Sequence, residues 1–181
     1  PPSPPPTIPP PAPPTNSGTF QEVFSVHNVG AENQVASSNY DEDNDMFRLS
    51  ADGGRIWGLE DEFRYVYREI SGDVEATVKV SSLEAGHEFG KAGIMFREST
   101  NKDARHAFLT ISAGKGAALE RRKNVGEGTV RSGKGNVSTP VWLRLIKEDI
   151  DLSAYYSEDG DNWSFLSEDI IEFPNTISIG L

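Results

Sequence analysis

Cysteine is absent from this 181-residue chain, which excludes disulfides, thiol catalysis and thiolate metal centres. Histidine is scarce: His27, His87 and His106 are scattered, a poor basis for a His-ligated zinc ion. Positive charge is also short, with 17 Lys and Arg against 28 Asp and Glu, a formal net charge of -11 and a pI near 4.7. A polyanion is repelled on average by such a surface, so neither nucleic acid nor an anionic membrane is an expected partner. No apolar run approaches the length of about 18 residues that a membrane-crossing helix needs, so no membrane span is expected. Proline is nearly missing from most of the chain, because ten of the twelve prolines fall within the first 14 residues.

That opening run, PPSPPPTIPPPAPPT over residues 1–15, lacks amide donors for helix or sheet and has φ held near the polyproline II value. An extended rod of about 43 Å is expected from 14 residues at 3.1 Å each, enough to reach a neighbouring domain. Residues 1–18 are therefore read as a proline-rich arm or linker, and 19–181 as the folded domain. The absence of a flanking Arg or Lys argues against a ligand for SH3 or WW domains.

From Thr19 onward, short stretches of period two alternate with Gly, Asn, Asp and Ser clusters, an all-β signature. Val74, Ala76, Val78 and Val80 alternate with polar residues, and Phe63, Tyr65 and Tyr67 with Arg64, Val66 and Arg68. The same parity links Ala92, Ile94 and Phe96; Ala107, Leu109 and Ile111; Val141, Leu143 and Leu145; and Ile150, Leu152, Ala154 and Tyr156. Nothing sustains helical spacing for three turns, so the expected architecture is two packed antiparallel sheets. Gly114-Lys115-Gly116, Gly126-Glu127-Gly128 and Gly133-Lys134-Gly135 lack phosphate-loop spacing and read as hairpin turns.

Seven ordered segments carry a family resemblance. They are Asp52-Gly53-Gly54-Arg55-Ile56-Trp57-Gly58; Asp61-Glu62-Phe63-Arg64-Tyr65-Val66-Tyr67; Ser71-Gly72-Asp73-Val74-Glu75-Ala76; Lys91-Ala92-Gly93-Ile94-Met95-Phe96-Arg97-Glu98-Ser99; Trp142-Leu143-Arg144-Leu145; Tyr155-Tyr156-Ser157-Glu158-Asp159-Gly160-Asp161-Asn162-Trp163; and Ile179-Gly180-Leu181. Together they resemble the bacterial family of unknown function related to regulation-of-enolase proteins, in the concanavalin A-like lectin/glucanase superfamily and close to C-terminal modules of β-xylosidases. The resemblance implies a jelly-roll sandwich in a secreted protein that handles polysaccharide. It also implies about twenty further residues after the Ile-Gly-Leu strand, so the sandwich is expected to lack its own final strand and to accept one from elsewhere. The run Ser3-Pro4-Pro5-Pro6 resembles extensin-type hydroxyproline-rich glycoproteins. That likeness implies hydroxylation or O-glycans among Ser3, Pro4, Pro5, Pro6, Thr7, Pro9, Pro10, Pro11, Pro13, Pro14 and Thr15.

Glucanases of the resembled superfamily align Glu, Asp and Glu on one strand, and the nearest string here, Glu168-Asp169-Ile170-Ile171-Glu172, has its Asp one residue early. With no G-x-S-x-G elbow either, no catalytic residue is expected and the chain is read as a non-enzyme. Asp41, Asp43 and Asp45 offer hard oxygen ligands for calcium, although Met46 stands where an EF loop requires glycine. Asn136-Val137-Ser138 and Asn162-Trp163-Ser164 are N-glycosylation sequons in expected turns. For bound sugar, an aromatic platform beside charged groups is needed; Tyr65, Tyr67, Arg97 and Arg121 are the candidates, while Trp57 and Trp142 are assigned to the core or its rim. The sequence thus favours an extracellular, cell-surface structural module, a glycosylated fibre subunit joined head-to-tail to other copies through its arm. The alternative is a carbohydrate-binding module of a secreted polysaccharide-degrading protein.

Overall fold

In the computed structural model, residues 23–30, 34–52 and 54–181 are described. Every hydroxylation and O-glycan candidate from Ser3 to Thr15 lies outside these residues.

Fifteen strands follow one another: β1 Ser25–Val29, β2 Ala36–Asp41, β3 Met46–Ala51, β4 Ile56–Trp57, β5 Glu60–Asp61, β6 Phe63–Ser71, β7 Val74–Val80 and β8 Lys91–Arg97, then β9 His106–Ser112, β10 Gly116–Arg122, β11 Val130–Lys134, β12 Val141–Glu148, β13 Asp151–Ser157, β14 Ser164–Ile170 and β15 Thr176–Gly180. A seven-stranded sheet has the order β1-β6-β15-β8-β9-β10-β11, and a four-stranded sheet the order β14-β13-β12-β7. All their pairings are antiparallel. β12 packs over β8 and β9, and β14 over β10 and β11, which makes the fold an all-β, antiparallel jelly-roll sandwich.

Period-two alternation builds the core between these sheets. Ile94, Phe96, Leu109, Ile111, Ala117 and Leu119 point inward from the larger sheet and meet Leu143, Leu145, Leu152 and Ala154 of the smaller. Each large aliphatic side chain among them contributes about 1.5–3 kcal/mol on removal from water. β12 shows the rule cleanly: Val141, Leu143, Leu145 and Lys147 are buried, while Trp142, Arg144 and Ile146 between them are half-exposed.

Two small hairpins complete the molecule. β2 and β3 pack against β6, tied by a hydrogen bond from Arg64 Nη2 to Ser38 Oγ. β4 and β5 lie on the far face of the seven-stranded sheet, where Ile56 joins Val29, Tyr65, Met95 and Phe108 in a second apolar cluster.

Two local expectations need correction. Gly133 and Lys134 belong to β11 and pair with Ala118 and Ala117, because the loop at residues 123–129 already reverses the chain. Ile150 is exposed in the β12–β13 turn instead of facing the core.

Candidate functional site

The far face of the seven-stranded sheet, which in a sandwich usually meets solvent, here encloses charge. Asp61, Arg97, His106 and Arg122 are all buried there. Asp61 Oδ2 accepts from Arg97 Nη1 at 2.7 Å and from Arg122 Nη1 at 2.6 Å, while Oδ1 accepts from Arg122 Nη2 at 2.8 Å. His106 Nδ1 stands 3.4 Å from both Asp61 Oδ2 and Arg97 Nη1, and its Nε2 has no partner among the described residues. Other guanidinium protons go to backbone carbonyls, Asn101 for Arg97 and Gly58, Ala104 and Glu127 for Arg122, while Arg97 Nε has no partner among the described residues. The cluster therefore fastens the β4–β5 turn and the loops after β8 and β10 to the sheet.

Electrostatics follow from that enclosure. Burial pushes the Asp61 carboxyl upward, but hydrogen bonds from His106 and Arg122 and the Arg97 charge outweigh it, holding the pKa well below the usual range. Burial lowers the pKa of His106, against the opposing pull of Asp61, so its neutral form is favoured. Burial likewise lowers that of Arg97. A second pair, Lys91 Nζ to Glu120 Oε2 at 2.6 Å, lies on the same face, and Lys91 also donates to the Ile56 carbonyl.

The residues nominated for sugar binding are divided by this arrangement. Tyr65 is wholly buried, and its hydroxyl donates to the carbonyl oxygens of Met95 or Ser178 at 3.1 and 2.9 Å; burial raises its pKa. Tyr67 is half-buried and stacks on Tyr65 with ring centroids 4.8 Å apart. Arg97 shares that face but is enclosed by Asp61 and by the Phe63 ring, 5.4 Å away. Arg121 lies two residues after the inward-facing Leu119, on the same face of β10, and reaches across the sandwich to Asp169 of β14, so it does not join the other three. The ion cluster itself escapes sequence reading, because Asp61 and Arg122 are 61 residues apart with no local pattern linking them.

The open face of the four-stranded sheet gathers a different set. Trp142 and Arg144 of β12 and Tyr155 of β13 alternate with core residues and so face solvent. Phe165 of β14 pairs with Tyr155, their rings in an edge contact at 5.7 Å, and is 56% exposed. Arg144 lies over the Trp163 ring at 3.8 Å and pairs with Glu75 at 3.2 Å, while Lys79 lies over Trp142 at 5.6 Å. Among the described residues, no hydrogen bond engages the indole nitrogens of Trp142 and Trp163 or the Tyr155 hydroxyl. Such a face offers flat rings with N–H and O–H donors between them. The sequence carried this signal: Val141, Leu143 and Leu145 face the core, so Trp142 cannot. Trp57 also leaves its assigned place, being 44% exposed on β4.

The segment 157–163 forms a turn of local hydrogen bonds beside that face. Asp159 Oδ1 accepts from Ser157 Oγ and from the backbone amides of Asp161 and Asn162, and Asp159 Oδ2 accepts from Asn162 Nδ2. Hydrogen bonds from Asn162 and its neighbours hold the Asp159 carboxyl far below its ordinary pKa. In the sequons, Asn136 sits exposed with φ of 62°, and Asn162 is exposed with its amide nitrogen engaged by Asp159. Asp41, Asp43 and Asp45 fall in the β2–β3 hairpin. There Asp41 accepts from Asn44 and Asp45 from Tyr40, and no group of three His, Cys, Asp or Glu side chains fit to hold a metal ion occurs among the described residues. No helix among them is long and apolar enough to cross a membrane.

No family model matches the chain, and no curated protein does. Among solved structures it is similar to a functionally unknown protein from Saccharomyces cerevisiae, with a TM-score of 0.55 and 18% identity over 90% of this chain and 86% of that one. At that identity the likeness shows the sandwich fold alone.

Proposed function

We propose that the chain is a non-catalytic, extracellular structural module, a subunit of a glycosylated surface fibre that assembles head-to-tail through its proline-rich arm. The observation that supports this reading best is the position of β1. The arm precedes that strand in sequence, and among the described residues the strand pairs with β6 alone and forms one edge of the seven-stranded sheet. An edge strand leaves a row of N–H and C=O groups free for another chain, and a heterologous contact of this kind repeats without closing. The kinship with the concanavalin A-like superfamily belongs to the same proposal, and the two-sheet architecture supports it. Light scattering and negative-stain imaging test the reading. Growth of filaments with concentration is the expected outcome, and a chain that stays monomeric throughout removes it.

A carbohydrate-binding module is the second reading, favoured by the open aromatic face. That face, and not the buried Tyr65, has rings exposed for a sugar to stack on. Selective binding in a soluble-glycan array, lost in Tyr155→Ala, is the outcome this reading requires.

A further inference from the structure

We propose that the open aromatic face of the four-stranded sheet is the docking surface for the proline-rich arm, residues 1–15, of a second copy of the chain. The inference rests on the head-to-tail reading and supplies its missing receptor. Three complementarities carry it.

The first is hydrogen bonding. Proline has no amide hydrogen, so the arm presents backbone carbonyls and few donors. The face presents the reverse: the Trp163 indole N–H and the Tyr155 hydroxyl have no partner among the described residues, while the Trp142 indole packs under Gly160. The second is shape. Proline rings in an extended polyproline segment settle between flat aromatic side chains, and their low conformational entropy limits the cost of binding. Tyr155 and Phe165 stand edge to face, 5.7 Å apart, on adjacent strands, with Arg144 and Trp163 stacked beside them.

Charge is the third. Residues 1–18 contain no Asp, Glu, Lys or Arg, whereas the whole chain has a net charge of -11. An uncharged arm approaches a second copy without the repulsion that its acidic surfaces impose on each other. The cations of this face are themselves matched, Arg144 by Glu75 and Lys79 by the Trp142 ring, leaving the rings and their polar edges as the attraction. Length sets the reach: residues 16–22 lie between the docking run and Val23, where the described chain begins, a tether of up to about 23 Å at about 3.3 Å per extended residue.

The test uses the full-length chain and a synthetic peptide of residues 1–15. Added in excess, the peptide is expected to dissolve assemblies measured by light scattering and to shift the tryptophan emission. Tyr155→Ala and Phe165→Ala are each expected to raise the concentration needed for assembly about tenfold or more, while Val35→Ala, at an exposed site elsewhere, leaves it unchanged. Melting curves check that the variants fold; should one fail to, the peptide competition decides alone. Assemblies indifferent to the peptide and to both substitutions overturn the docking inference and leave the head-to-tail reading standing. A full-length chain that never assembles overturns both. A face that binds a soluble glycan but not the peptide overturns the inference in favour of sugar recognition.

Discussion

Asp61 is one carboxylate between two enclosed guanidiniums, and its removal leaves both without a counter-charge. Breaking a buried pair from one side typically destabilises by about 3–5 kcal/mol, so Asp61→Asn is expected to lower the urea-unfolding free energy by an amount in that range. A loss under about 1 kcal/mol contradicts the cluster as drawn. Acid acts on the same residues with a definite sign. His106 and Asp61 both have folded pKa values below their unfolded ones, so each contributes stability that is present above the unfolded pKa and lost on acidification. The decline is expected to start as pH falls below about 6.5 for His106 and to continue below the ordinary carboxylate value of 3.8 for Asp61. His106→Gln should flatten the first part only, as melting temperatures across pH will show. None of this was legible in the sequence. Arg97 and Tyr65 stood out in their motifs, but Arg97 meets Asp61 across 36 positions, and a sequence pattern reports only what strands and turns bring together locally.

At the scale of the element, the 157–163 turn shows how local chemistry can be read directly. Asp159 and Gly160 identify a tight turn, and the hydrogen bonds of Asp159 to Asp161 and Asn162 make one. Gly160 has φ of 88°, and a Cβ there would come within 2.9 Å of Trp142 Nε1. Gly160→Ala is accordingly expected to destabilise the domain by about 1–3 kcal/mol, measured by thermal or urea unfolding. A neutral result contradicts the left-handed turn. Strand parity was equally legible in β12 and β13, where alternation assigned core and surface. β14 was less so, because the register shifts opposite Ala154 and Tyr155, and that shift turns Leu166 and Asp169 inward. Burial raises the pKa of Asp169, but hydrogen bonds from Lys123 and Arg121 bring it down to about 2. Its contribution is present above the ordinary value of 3.8 and is lost as pH falls through about 2. Asp169→Asn should therefore reduce the acid sensitivity below pH 4 and loosen β14 from β10, read as faster amide exchange in β14.

For the whole molecule, the question is which surfaces remain for partners. The far face of the larger sheet is closed by the β4–β5 hairpin and its ion cluster, whereas no strand among the described residues covers the outer face of the smaller sheet or the edges at β1, β11, β7 and β14. Deleting residues 1–18 is expected to abolish concentration-dependent growth in light scattering while leaving the thermal transition of the sandwich in place; filaments that persist without the arm refute its role as the joint. Acidic residues outnumber basic ones by eleven, so assembly between copies should strengthen as added salt screens their repulsion.

Local patterning by itself determined the all-β class, the alternating core and most turns, since each depends on near neighbours and on the two-residue period of a strand. Only the tertiary structure decided that Asp61, Arg97, His106 and Arg122 meet under one hairpin, that Arg121 turns the other way, and that Trp142, Tyr155, Trp163 and Phe165 form one exposed face. Those are choices of sheet order and register, which bring distant residues together through the packing of the whole chain and leave no mark within any single segment.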